Sequence, residues 1–134
     1  MTWDEFRDRL QATLRGLTAR CLLIVSAPGG YVQFARGVDV LSAEAAGPDS
    51  VDGAAVHGPD DPVMLGAGWA SPTRGQPNWS DELPLPALTG EYTALADRCV
   101  TALRDVYGAT APGVLGYRAW REPETQPPGV TWPP

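Results

Sequence analysis

The chain has no lysine: all ten of its basic residues are arginine, set against 16 acidic ones, for a formal charge of −6. Binding to duplex DNA or RNA draws on a basic face, and no run of basic residues supplies one, so nucleic acid is not an expected partner. Histidine is as scarce. His57 is the one histidine, set in a polar stretch without periodic partners. Zinc sites and activated Ser or Cys nucleophiles usually need histidine near their centre. Cysteine is limited to Cys21 and Cys99, each in an apolar periodic segment where a free thiol acts as a small hydrophobe; two buried reduced thiols are expected. No run approaches the roughly 18 apolar residues of a membrane span. The opening MTWDEFRDRL, with three acids and no apolar run, fits neither a signal nor a transit peptide, and the expected location is cytoplasmic.

Glycine and proline are plentiful, at 15 and 14 of 134 residues, beside 43% hydrophobic and 19% charged residues. That is a soluble globular composition with much loop, and the length suits one core. The expected division is one domain over residues 1–120 and a Pro-rich tail over 121–134.

Thr2 and Glu5 form a capping box, and Trp3, Phe6, Leu10, Leu14 and Leu17 trace one apolar stripe, predicting a helix over 3–18. Its charges read as a solvated face. Residues 21–46, CLLIVSAPGGYVQFARGVDVLSAEAA, read as three strands, 21–25, 31–36 and 40–46, joined by turns at Ala27-Pro28-Gly29-Gly30 and Gly37, most simply an antiparallel meander. Residues 47–62 read as an acidic surface loop, 63–70 as a fourth strand with Val63, Leu65, Ala67 and Trp69 on one face, and 71–86 as a second loop. Leu88, Tyr92, Leu95, Cys99, Leu103 and Val106 predict a long helix to Tyr107 with Gly108 as its stop, followed by a last strand over 114–120. The fold class expected is α+β: a mostly antiparallel sheet of about five strands with the two main helices on one face.

No catalytic constellation emerges. Pro28-Gly29-Gly30 leads into a strand, whereas a phosphate loop needs a helix N-terminus. Nothing brings Glu44 and Glu91, or any other carboxylate pair, together for acid/base work. Asp49, Asp52, Asp60 and Asp61 lack calcium-loop spacing. The chain reads as a non-enzyme without metal or cofactor. What stands out is aromatic: of five tryptophans, Trp69, Trp79 and Trp132 fall outside the helical stripes, where tryptophan serves either as partner anchor or as core closure. Val32 and Phe34 are expected to face the helices, leaving Tyr31, Gln33 and Ala35 on the other side. Together with Asn78 and Trp79 they are the candidate peptide-binding residues.

The order of elements is similar to the type III secretion chaperone and YbjN-like fold. More narrowly, YVQFA at 31–35 followed by LSAE at 41–44, LGAGW at 65–69 with Pro72 and Asn78, and LRDVYG at 103–108 resemble the actinobacterial TY-Chap N-terminal domain. The resemblance implies binding of a peptide or partner protein by a sheet face or groove, without a cofactor, and leaves a homodimer open. An acidic inhibitor or immunity-type protein directed at one basic enzyme is the alternative, because the charge of −6 would steer toward a basic partner.

Overall fold

Thr2 opens the first helix as its spacing requires: its hydroxyl accepts the Glu5 N–H at 3.1 Å, and the Glu5 carboxylate accepts the Thr2 N–H at 3.3 Å. Hydrogen bonding of its carboxylate to the Thr2 backbone N–H, with a further contribution from the Thr2 hydroxyl, holds the Glu5 carboxyl below its usual pKa. In the computed structural model, which describes residues 1–48 and 61–122, α1 spans Trp3–Gly16 and buries Phe6, Leu10 and Leu14.

Three strands follow, β1 Cys21–Ala27, β2 Gly30–Arg36 and β3 Val40–Ala45. The meander is antiparallel, with Leu23 opposite Phe34 and Phe34 opposite Ala43. The first turn is shaped by a distant residue. Gly29 N–H donates to the Tyr107 carbonyl at 2.7 Å, and a Cβ on Gly30 would stand 2.4 Å from the Tyr107 ring, so glycine is needed for close approach as well as for the turn.

The chain then departs from the sequence expectation. Residues 63–70 do not form a strand. Asp61 caps a short helix, α2, Pro62–Ala67, accepting the Val63 N–H at 2.9 Å and the Met64 N–H at 3.3 Å. Proline stands in its first turn, and Gly68 ends it at φ +104°, the left-handed conformation that favours glycine. The alternation of Val63 and Leu65 is no strand face, for both are exposed while Met64 between them is buried. The fourth strand instead comes from the stretch expected to be a loop: β4, Trp79–Pro84. It pairs with β3, Ala45 opposite Trp79 and Leu41 opposite Leu83. A bridge between Ala70 and Ser80 covers part of its outer side, and Pro84 at its end donates no hydrogen bond, both of which limit edge pairing.

The long helix, α3, spans Thr89–Val100 and continues into a wider π-helical turn over Thr101–Val106. Tyr107 N–H donates to Ala102 O at 2.8 Å, which sets Tyr107 against the Gly29-Gly30 turn. Its hydroxyl donates to Ala46 O at 2.6 Å. A 3-10 turn at Pro112–Val114 leads into β5, Gly116–Arg121. β5 pairs with β1, so the five-stranded sheet has the order β4-β3-β2-β1-β5 with antiparallel neighbours throughout. The expected α+β arrangement is therefore what the chain adopts. α1 and α3 pack side by side, and the core lies between them and one sheet face, where Leu23, Val25, Val32, Phe34, Leu41 and Ala43 are buried. His57, Asp49, Asp52 and Asp60 lie outside the described residues.

Candidate functional site

Because side chains alternate along a strand, burying Val32 and Phe34 under the helices turns Tyr31, Gln33 and Ala35 to the opposite face. The pairing then fixes their neighbours. Leu22 and Ile24 of β1 stand opposite Ala35 and Gln33, Trp120 and Arg118 of β5 stand opposite Leu22 and Ile24, and Ser42 and Glu44 of β3 stand opposite Ala35 and Gln33. Among the described elements, none packs over this face. At its centre is a depression of about 210 Å³ lined by Leu22, Ile24, Gln33, Ala35, Ser42, Glu44 and Trp120. Phe34, whose ring is buried on the helix side, contributes to its floor. A cavity of about 150 Å³ admits a benzene ring, so this one has room for a single leucine- to phenylalanine-sized side chain.

One end of the face is polar and hydrogen-bonded. Asn78 Nδ2 donates to Glu44 Oε1 at 2.9 Å and to the Tyr31 hydroxyl at 3.4 Å, while its Oδ1 accepts the Gly47 N–H at 3.0 Å. Asn78 is 7% exposed, so it is a fixed strut behind Tyr31 and Glu44 rather than a free contact surface. At the other end the Arg118 guanidinium lies over the Trp120 ring, 4.5 Å from its centroid, a cation–π arrangement that stiffens both side chains.

Tyr31, Gln33, Ala35 and Asn78 are thus brought to one face. Trp79 is not: as the first residue of β4 it stands opposite the buried Ala45 and points to the helix side, where it is 1% exposed. It cannot contact a partner on the open face, which corrects the grouping expected from the sequence. Trp69 is likewise core, 2% exposed, with Nε1 donating to Arg98 O at 3.3 Å. Trp132 lies outside the described residues. The aromatic that does line the depression is Trp120, a residue of the last strand expected over 114–120. Alternation alone would place Trp120 with Arg118 and opposite to Tyr117 and Ala119, but that β5 docks beside β1 could not be read from it.

Both cysteines are free and buried. Burial pushes the Cys99 thiol well up, with Asp81 adding to the effect. Burial also lifts Cys21, but hydrogen bonding from Thr18, whose Oγ1 is 3.4 Å from Sγ, and from Arg121 brings that thiol below its ordinary value. Neither thiol is on the open face. Among the described residues no group of three or more His, Cys, Asp or Glu side chains could hold a metal, and no helix is long and apolar enough to cross a membrane.

No curated protein and no solved structure matches the chain. Residues 1–121, which reach from the start of α1 to the end of β5, match the model of the family described as T3SS (YopN, CesT) and YbjN peptide-binding chaperone 3, and the chain therefore belongs to this TY-Chap3 family.

Proposed function

We propose that the chain is a non-enzymatic, cytoplasmic chaperone-like module that takes up an extended segment of a client protein on the open face of its sheet. The family is a peptide-binding chaperone family, and the observation that carries the assignment of the surface is the depression between Leu22, Ala35 and Trp120, which the described elements leave uncovered. Apolar side chains on an exposed sheet face are a common basis for recognising extended peptides, with pockets selecting particular side chains. Tyr31 and Gln33 flank the depression on β2 and supply hydrogen-bonding groups, and Asn78 fixes the tyrosine hydroxyl.

The test is to fill the depression. Ala35 is exposed, so Ala35→Trp places an indole over the site without entering the core. Binding to an immobilised library of octapeptides should fall by about tenfold or more, the loss expected when a central contact is removed. Val38→Trp, at a hairpin tip where Val38 is 86% exposed, should bind as the wild type does. Unchanged binding by Ala35→Trp would remove the open face as the site. A single tight complex with one basic enzyme, and no binding to peptides, would favour the acidic inhibitor instead.

A further inference from the structure

The two sides of the depression differ in chemistry. Leu22, Ile24 and the Trp120 indole make an apolar wall on the β1 and β5 side. On the β3 side stand Ser42 and Glu44, and β4 sets Glu82 directly opposite Ser42 on the same face. The rim there carries two carboxylates, and among the open-face residues of β3 and β4 there is no cation. The arginine of this face, Arg118, is at the far side over Trp120. Glu44 is held in place by Asn78 at 2.9 Å through one carboxylate oxygen, and a carboxylate has acceptor capacity beyond one such bond.

Resting on the open face as the binding surface, we infer that the client segment is cationic and amphipathic: one apolar side chain enters the depression against Trp120, and a Lys or Arg two residues away meets Glu44, with Glu82 reinforcing the field. The spacing follows from the sheet. β1 and β3 are two strand spacings apart, roughly 10 Å; an extended chain advances about 3.3 Å per residue with its side chains alternating in direction, so the side chain two residues on faces the sheet again and the length of a Lys or Arg covers the remaining distance. A charged donor on a carboxylate makes one of the stronger hydrogen bonds, and the chain's charge of −6 draws cations toward it. An acidic segment meets like charge at Glu44 and Glu82, and a second copy of this chain meets both like charge and the same carboxylates.

The experiment uses the full chain and three fluorescein-labelled octapeptides in a Gly/Ser background, carrying leucine with lysine, glutamate or serine two residues on, followed by fluorescence anisotropy at low and high salt. The lysine peptide should bind about tenfold more tightly than the glutamate peptide at low salt, the gap closing as salt screens the charges. Glu44→Gln should abolish that preference whatever it does to affinity overall; glutamine can still accept from Asn78 Nδ2, and a thermal melt checks the fold. Equal or reversed preference, or a preference that survives Glu44→Gln, overturns the inference. Trp120→Ala separates the two levels. If it weakens all three peptides and no charge preference exists, the cationic signature alone is wrong. If it leaves all three unchanged, or if none binds the wild type, the open face is not the site and both readings fall.

Discussion

Asn78 and Trp79 are neighbours in the chain with opposite surroundings: Asn78, just ahead of β4, bonds Tyr31 and Glu44 of the open face, whereas Trp79, the first residue of β4, is turned into the core. Trp79 is among the largest fully buried side chains, so Trp79→Ala should cost about 3–5 kcal/mol, the usual result of emptying a large aromatic site. Tyr31→Ala, on a half-buried residue, should cost clearly less and act mainly on peptide binding. Urea midpoints of the two variants decide this, and an unchanged midpoint for Trp79→Ala would contradict its placement. Asn78→Leu should cost about 1–3 kcal/mol, because the buried Gly47 N–H loses its acceptor and an orphaned buried donor is penalised by its full desolvation.

The helices divide into those held by packing and one held by its ends. Leu14 of α1 and Leu95 of α3 are 1% and 2% exposed, and replacing either by alanine should lower stability by about 2–5 kcal/mol in urea unfolding. α2 is six residues long and buries only Met64, so its caps matter more than its face. Asp61→Ala should cost about 1 kcal/mol through the loss of the bonds to Val63 and Met64. Gly68→Ala should be at least as harmful. The backbone there is left-handed at φ +104°, and the new Cβ would lie 2.5 Å from Arg98 Nε, disturbing the guanidinium that bonds Ala67 O at 2.9 Å and Asp81 at 2.6 Å. A thermal-melt series of the two variants tests both statements; a Gly68→Ala melt at or above wild type would be inconsistent with the cap geometry.

At the scale of the molecule, two buried acids of high pKa set its alkaline limit. Burial raises both the Cys99 thiol and the Tyr107 hydroxyl above their ordinary values of 9.0 and 10.0. Each therefore keeps its proton in the folded state at a pH where the unfolded chain has lost it. With fewer protons bound by the unfolded state, stability falls as pH rises. The contribution is fully present below about pH 9 and declines progressively above the ordinary values. Urea midpoints measured across the alkaline range should drop, and Tyr107→Phe should flatten the decline above about pH 10 even though it is less stable at neutral pH, having lost the bond to Ala46 O. A decline as steep in Tyr107→Phe as in the wild type would exclude Tyr107 as a source.

Local signals determined much of this protein. The Thr2/Glu5 box, the 3.6-residue stripes of α1 and α3, and the short turns at Pro28-Gly29-Gly30 and Gly37 place the two main helices and the meander, because each depends on residues only a few positions apart. Alternation on β2 then puts Tyr31, Gln33 and Ala35 on the face away from the helices. Over residues 63–86 the same kind of local signal misleads: the apolar alternation of Val63, Leu65 and Ala67 resembles a strand, whereas Asp61, Pro62 and Gly68 are the start and stop of a helix. β4 has only Trp79 and Leu83 as apolar signal, and pairing with β3 makes it a strand. The docking of β5 beside β1, which brings Trp120 from near the end of the described chain to Leu22, was decided by tertiary structure alone. Strand order is set by which faces can be buried together, and no local spacing records it.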